Sequence, residues 1–187
     1  MRVIAGIYKG KKILLPKDIN TRPLKDLTKE SIFNIIEHSN KFSIDLNNAD
    51  VLDLFSGTGS FGIECLSRGA KHVFFVEYYK KVLPILKKNL SNLKSSNGYK
   101  IIEKNIFSSL NFNIFNKHFD IIFLDPPYKE NDLTEIIQIL IEEKFLKRNG
   151  ILIIHRHKNH RDVFSKNIKI IEQKKYGVSK IIFGIII

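Results

Sequence analysis

Between residues 50 and 155, short apolar runs alternate with longer segments in which apolar residues recur every three or four positions. Short runs bounded by turn residues are typical of buried strands, and the periodic segments are typical of amphipathic helices. The predicted strands are residues 51–55, 72–77, 100–104, 120–124 and 151–155, and the predicted helices are residues 60–67, 80–93, 106–115 and 133–145. This alternation predicts an α/β fold with a parallel, doubly wound sheet and helices on both faces.

The N-terminal stretch has a different pattern. Residues 2–15 alternate apolar and polar positions around a Lys-Gly pair, which predicts a β-hairpin with a basic turn. An amphipathic helix follows this hairpin. We expect Thr21 or Asp26 to cap the helix and His38 to lie near its end.

The pattern also predicts how the chain divides. Residues 41–48 have the composition of a linker, so we expect an N-terminal appendage over residues 1–48 and a main domain over residues 49–187. Within the main domain, residues 168–174 and 180–187 predict two further strands joined by a Tyr-Gly-Val-Ser turn. A hairpin there would add antiparallel edge strands to the sheet.

The composition limits the class of protein. A chain of 187 residues is long enough for one domain with a substantial core. No apolar run approaches the ~20 residues of a membrane span, and Met1 is not followed by the apolar run of a signal peptide, so we expect a soluble, cytoplasmic protein. Cys65 is the single cysteine, which excludes an internal disulfide and a cysteine-based metal site. Its apolar helical surroundings predict core packing.

The formal net charge of +12 is unevenly distributed along the chain. Both ends are strongly basic, and the middle is close to neutral. This distribution indicates an enzyme-like body flanked by surfaces that meet a polyanion. The alternative is that a chain rich in lysine, isoleucine and asparagine carries many lysines that are merely solvated.

The segment FDIIFLDPPY, residues 119–128, has the pattern of a buried strand that ends abruptly. Pro126 and Pro127 stop the strand because proline has no N–H to donate to a neighbouring strand. Asp125 and the Pro126 carbonyl could each accept a hydrogen bond from an amino group, and Tyr128 offers a face on which a base can stack. Open α/β sheets bind ligands at this end of their strands. We therefore interpret the segment as a catalytic site rather than an ordinary proline turn.

A second motif, VLDLFSGTGSFG, covers residues 51–62. The glycines that satisfy the G-x-G-x-x-G fingerprint after a strand are Gly57, Gly59 and Gly62. Glu77 lies where a ribose-binding acid is expected, so the pattern alone would indicate NAD. Asp53, however, would repel a pyrophosphate, whereas its carboxylate suits the ammonium or sulfonium of an adenosyl group joined to a cationic methionine. The glycine loop and the helix start would then receive the carboxylate of that cofactor.

Together these motifs resemble the Class I S-adenosylmethionine-dependent methyltransferases that act on an exocyclic nitrogen of a base. The chain is most similar to the 16S ribosomal RNA guanine-N2 methyltransferase family. The similarity rests on RVIAGIYKGKKI, the Thr21-Arg-Pro turn into KDLTKESIFNII, the block DLFSGTGSFGIECLSRGA, FLDPPY and the terminal KKYGVSKIIF. It covers nearly the whole chain. The N-terminal block is its specific part, because DPPY also occurs in DNA adenine-N6 enzymes.

The resemblance implies a doubly wound, mostly parallel seven-stranded Rossmann-like methyltransferase sheet that binds S-adenosylmethionine and needs no metal. The implied cofactor-binding residues are Asp53, Phe55, Gly57, Gly59, Glu77 and Asn105. The implied catalytic residues are Asp125, Pro126, Pro127 and Tyr128. Asn105 falls near the adenine amino group, while Asp125 and the Pro126 carbonyl hold the guanine amino group. Either Asp125 or solvent takes the proton that the amine releases.

One position departs from the family pattern. His155 ends the fifth predicted strand, where an acidic residue is expected. His155, His157 and His160 could suggest a metal site, but their spacing at a strand end favours a basic surface.

The expected partner is ribosomal RNA, in a small-subunit particle, and the expected state is a monomer. The predicted RNA-binding residues are Arg2, Lys9, Lys11, Lys12 and Arg22. Two alternatives stay open. One is a DNA adenine-N6 methyltransferase, although the chain has little room for a DNA target-recognition domain. The other is a nucleic-acid-binding module whose methyltransferase core is inactive.

Overall fold

The structure is a computed structural model that describes residues 1–17, 24–93, 97–107, 115, 117–127 and 133–187. The elements in chain order are α1 (Asp26–His38), β1 (Asp50–Leu54), α2 (Ser60–Ser67), β2 (His72–Glu77), α3 (Leu83–Ser91), β3 (Tyr99–Glu103), β4 (Phe119–Leu124), α4 (Thr134–Glu142), β5 (Leu146–His157), β6 (Ile168–Tyr176) and β7 (Ser179–Ile186).

A seven-stranded sheet forms the centre of the fold, in the order β3-β2-β1-β4-β5-β7-β6. Strands β1 to β5 pair in parallel, and β7 pairs antiparallel with both β5 and β6. The predicted mostly parallel sheet and the C-terminal antiparallel hairpin are thereby confirmed. The strand order reverses between β1 and β4, and such a reversal opens a crevice outside the carboxyl ends of the strands.

Alternate residues of the central strands enter two cores, one on each face of the sheet. Val51 of β1 lies in the same core as Phe61 of α2, whereas Leu52 lies in the same core as Ile136 of α4. Both faces of the central strands are therefore covered, as a parallel sheet requires. Cys65 is fully buried in the first core, as predicted, and its burial raises the pKa of its thiol.

The N-terminal segment pairs with itself less than the alternating pattern predicts. Arg2 and Lys12 form an isolated antiparallel bridge, and the backbone between them turns at residues 5–10. The backbone groups that would extend a hairpin bind α2 instead: the Glu64 carboxylate accepts the N–H groups of Ile4 and Ala5 at 2.8 and 2.9 Å. The predicted hairpin is therefore shortened because its chain is held by the body of the protein.

A buried ion pair fixes this arrangement. Nζ of Lys29 in α1 lies 3.4 Å from the Glu64 carboxylate in α2, and both side chains are 0 % exposed. Lys29 also donates to the Arg2 carbonyl at 2.7 Å. Val3 and Ile13 lie in the same core as the sheet residue Val51. The first residues of the chain thus contribute to the main core, and the domain boundary at residue 48 stays a prediction.

Several element boundaries differ from the expectation. Asp26 is the first residue of α1 rather than its cap, because Lys25 holds the cap position without a side-chain hydrogen bond. Thr21 lies outside the described residues. Strand β5 begins at Leu146, well before the predicted start, because the polar residues 147–149 conceal it in the apolar pattern. The predicted helix over residues 106–115 lies largely outside the described residues.

The membrane question has a short answer for the part of the chain that the structure describes. None of the helices in those ranges has the length and apolar character that crossing a bilayer requires.

Candidate active site

The residues that the sequence singles out for chemistry meet at the carboxyl ends of β1, β2 and β4. Strand β1 lies between β2 and β4, so the residues that follow these three strands are neighbours. Asp53 lies near the end of β1, Glu77 ends β2, and Asp125 follows β4. The structure thus brings the two predicted motifs together at the reversal of strand order.

The loop after β1 turns sharply through left-handed backbone conformations. Phe55 has a φ of 62°, Gly57 of 54° and Gly59 of 81°. Gly59 is the residue before α2, and a Cβ there would come within 2.6 Å of Leu86 Cδ1. Ser56 holds the turn, because its hydroxyl donates to the Asp53 carbonyl at 2.6 Å. Glycine at position 59 is therefore required both by its φ and by the close approach of α3.

The Glu77 carboxylate organises the edge of this loop. Oε2 accepts the Gly57 N–H at 2.8 Å, and Oε1 accepts the N–H groups of Tyr78 and Tyr79, each at 2.8 Å. A carboxylate offers about four acceptor positions, so one position on Oε2 remains for a further donor. Glu77 is 7 % exposed, and its oxygens lie beside the glycine loop at the place predicted for a ribose.

Asp53 lies deeper than the sequence suggests. Its carboxylate is 1 % exposed and accepts the Gly62 N–H at 3.0 Å, which ties β1 to the first turn of α2. Burial raises the pKa of Asp53 well above its usual range, and the nearby charges of Asp125 and Glu77 raise it further. Three carboxyl groups thus share one region of a basic protein. A cation placed among them would relieve their mutual repulsion.

Two aromatic rings cover the loop on the side of β3. The rings of Phe55 and Phe107 lie 5.3 Å apart between centroids. Asn105, which follows β3, accepts the Phe107 N–H through Oδ1 at 3.0 Å and so fixes the turn that presents this ring. Phe107 is absent from the sequence-based site, although its position two residues after Asn105 is a signal that could have identified it.

Asp125 begins the segment that the sequence analysis placed at the centre of the chemistry. Its N–H donates to the Leu54 carbonyl of β1 at 3.3 Å, which extends the pairing of β4 by one residue. Its Oδ1 lies 2.7 Å from Nδ1 of His155 in β5. Pro126 is buried and Pro127 is exposed, and Tyr128 lies outside the described residues.

The N-terminal segment reaches the glycine loop through one buried side chain that the sequence reading missed. Asn89 of α3 accepts the Leu14 N–H at 2.8 Å and donates to the carbonyls of Leu14 and Thr58 at 3.1 and 2.9 Å. Thr58 lies between the two glycines of the loop. Asn89 thus connects the basic N-terminal segment to the candidate cofactor loop.

The predicted RNA-binding residues differ in their surroundings. Arg2, Lys9 and Lys12 are exposed. The Lys11 ammonium instead donates to the Asn92 carbonyl at the end of α3 and lies 5.7 Å from the Tyr8 ring centroid. Arg22 lies outside the described residues. The structure therefore leaves three of these five side chains on an open basic surface.

The three histidines of the β5 region do not converge. His155 is 5 % exposed and faces Asp125, which corrects its assignment to a basic surface. His160 packs against Arg156 and lies 3.2 Å from Asp162. Within the described ranges, no three His, Cys, Asp or Glu side chains are grouped closely enough to hold a metal ion.

Comparison with known proteins agrees with this geometry. A family model described as conserved hypothetical protein 95 matches residues 1–185. The chain is 34% identical over 179 residues to ribosomal RNA small subunit methyltransferase D of Haemophilus influenzae, covering 95% of this chain and 90% of that protein. It is 30% identical over 154 residues to the Escherichia coli K12 protein of the same name, covering 82% and 73%.

A solved structure has the same fold over the full length. It is described as a candidate methyltransferase, yhhF, from Escherichia coli, and it superimposes with a TM-score of 0.81. The two chains are 25% identical, and the match covers 100% of this chain and 97% of that one.

Proposed function

The chain belongs to the family described as conserved hypothetical protein 95, and on that premise we propose that it transfers the methyl group of S-adenosylmethionine to the exocyclic N2 of a guanine in small-subunit ribosomal RNA. One observation carries the proposal. Glu77 and Asp125 stand at the ends of the strands on either side of β1, with the glycine loop between them. A cofactor carboxylate and a substrate carboxylate are thus held next to each other.

The residues of the site fit S-adenosylmethionine better than a dinucleotide. Glu77 keeps an acceptor position for a ribose hydroxyl, and the carboxyl groups of Asp53 and Asp125 favour a cation nearby. Phe55, Phe107 and Asn105 form the face that would receive adenine. When bound, the cofactor supplies a methyl group activated by a positively charged sulfur.

Asp125 and the Pro126 carbonyl orient the acceptor. The lone pair of a guanine N2 is delocalised into the ring, so holding both amino hydrogens and aiming the nitrogen lowers the barrier. The nitrogen forms a bond to the methyl carbon, the carbon–sulfur bond breaks with its electron pair passing to sulfur, and the nitrogen releases one proton. The target base must leave its stack to reach this buried strand end.

Ribosomal RNA fits the surroundings of the site as well as the names of the relatives. The exposed basic residues Arg2, Lys9 and Lys12 belong to the segment that Asn89 connects to the glycine loop. Phosphates bound by this segment would lie on the part of the molecule that carries the cofactor site. An assembled small-subunit particle is the proposed form of the substrate.

A transfer assay with three acceptors tests the proposal. Purified protein and methyl-labelled S-adenosylmethionine are incubated with under-methylated small-subunit particles, with the same RNA stripped of protein, and with duplex DNA. Digestion and nucleoside mass spectrometry should show labelled N2-methylguanosine from the particles. Labelled N6-methyladenosine from DNA would support the competing DNA enzyme, and no transfer to any acceptor would contradict the proposal.

A further inference from the structure

The imidazole of His155 is a buried titratable group at the active site that the proposed reaction does not yet use. Leu124 of β4 pairs in register with Ile154 of β5, so the next residues, Asp125 and His155, lie side by side on the same face of the sheet. The imidazole is enclosed between the end of β4 and the start of β7. Its position allows contact with Asp125 but leaves little contact with solvent.

Both ring nitrogens of His155 have hydrogen-bond partners. Nδ1 lies 2.7 Å from Oδ1 of Asp125, and Nε2 lies 2.8 Å from the hydroxyl oxygen of Ser179 in β7. An ionised carboxylate only accepts hydrogen bonds, so Nδ1 carries a proton in this arrangement. The Ser179 hydroxyl can either donate to Nε2 or accept from it. Nδ1 can therefore keep its proton in both the neutral and the charged ring.

We propose that His155 is a positioning residue for the methyl transfer: its Nδ1–H holds Oδ1 of Asp125, so that the other carboxylate oxygen is directed at the amino group of the guanine. This inference rests on the proposed function. It also assigns Asp125 a single task, because a carboxylate that accepts a hydrogen bond from His155 is a weaker base. Asp125 orients the amine, and the released proton passes to water.

The charges around the pair are consistent with this task. The described groups that act on Asp125 are His155 on one side and the carboxyl group of Asp53, whose charge interacts with it, on the other. Ser179 is neutral. A proton held on Nδ1 compensates part of the negative charge that Asp53, Glu77 and Asp125 bring to the strand ends.

Four variants of His155 and Asp125 test the proposal by single-turnover transfer to under-methylated particles. His155→Asn places an amide N–H near the position of Nδ1, whereas His155→Gln places its amide near Nε2 and Ser179. His155→Ala removes both contacts, and a double variant adds Asp125→Ala. Cofactor affinity is measured by calorimetry for each variant, and circular dichroism confirms the fold.

The expected results separate a positioning role from a structural one. His155→Ala should slow transfer by on the order of 10²-fold without changing cofactor affinity, since misplacing a reacting group costs about that much. His155→Asn should recover most of the rate and His155→Gln should not. In the Asp125→Ala background, His155→Ala should cause no further loss, because His155 acts through Asp125.

Different outcomes would overturn different claims. If the wild-type protein methylates no guanine N2, the proposed function itself fails. If the wild type is active and His155→Ala is equally fast, the positioning role is wrong. Should the Ala variant not fold, equal rates for His155→Asn and His155→Gln would overturn the proposal. Additive losses in the double variant would also overturn it, because they would indicate an effect independent of Asp125.

Discussion

The Gly57 backbone N–H donates a 2.8 Å hydrogen bond to the Glu77 carboxylate and thereby joins the loop after β1 to the end of β2. This bond holds the carboxylate beside the glycine loop, where the proposed ribose lies. The same carboxylate accepts two more N–H groups, from Tyr78 and Tyr79. Its orientation is therefore set by the protein before any cofactor binds.

The first prediction concerns Glu77→Gln. Losing the charge should weaken S-adenosylmethionine binding by roughly 1.5 to 3 kcal/mol, about 10- to 100-fold, because charge-assisted hydrogen bonds to ribose become neutral ones. Isothermal calorimetry measures the affinity. The matched control is Glu103→Gln, since Glu103 pairs in register with Glu77 on β3 but has an exposed side chain. Unchanged affinity in Glu77→Gln, or binding of NAD in place of S-adenosylmethionine, would refute the cofactor assignment.

The second prediction concerns Asp125→Ala. This change removes one of the two acceptors that orient the amine, and the transfer rate should fall by on the order of 10² to 10³. Cofactor affinity should hardly change, because the ribose is assigned to Glu77. Single-turnover transfer and calorimetry on the same preparation measure the two quantities. Asp45→Ala, at an exposed aspartate, is the control. A wild-type rate in Asp125→Ala would remove the basis for the catalytic site.

How much of this site the sequence predicts depends on the distance between partners. The strand ends and the glycine loop were predicted because proline, glycine and apolar runs act on their neighbours in the chain. The contacts of His155 with Asp125 and of Asn89 with Leu14 span 30 and 75 residues, and no local pattern encodes them. Their identification required the register of the sheet.

The N-terminal segment shows the same limit more strongly. Alternation predicts a hairpin over residues 2–15, and local pairing does occur at Arg2 and Lys12. The competing partner, Glu64, lies about sixty residues ahead and attracts the backbone through a buried carboxylate. A propensity for pairing therefore yields to a tertiary contact that the sequence pattern does not indicate.

The third prediction tests that contact through stability. Glu64→Ala leaves Lys29 without its buried ionic partner and two backbone N–H groups without an acceptor. The free energy of unfolding in urea should fall by about 3 to 5 kcal/mol. Glu37→Ala removes a partly exposed partner of Arg68 and should cost about 1 kcal/mol or less. Equal losses in the two variants would show that the buried pair does not hold the N-terminal segment.

The fourth prediction concerns RNA affinity. Lys9→Gln and Lys12→Gln each remove one exposed charge, so each should reduce the dependence of log affinity on log salt by about one unit. Point changes are preferable to deletion of the segment, because Val3 and Ile13 belong to the core. Lys11→Gln serves for comparison, since its ammonium binds α3. An unchanged slope in both exposed variants would exclude this surface from RNA binding.

The fifth prediction concerns pH. Burial alone would lower the pKa of His155, but the charge and hydrogen bond of Asp125 outweigh it and raise the pKa above 6.5. The proton-linked stabilisation is therefore complete below about pH 6.5 and is lost as the pH rises through the folded-state pKa. Urea unfolding should show a larger advantage of wild type over His155→Asn at about pH 6 than at about pH 9. His38→Asn, at an exposed histidine, is the control. A pH-independent difference would mean that the pair does not bind this proton.

The central claim is that this chain methylates N2 of a guanine in small-subunit ribosomal RNA, and mass-spectrometric mapping of that RNA in cells tests it most directly. RNA from a strain lacking the gene should have lost one N2-methylguanosine. The wild-type gene should restore the modification at the same nucleotide, and the gene carrying Asp125→Ala should not. Small-subunit RNA with the same N2-methylguanosines in the presence and absence of the gene would contradict the account.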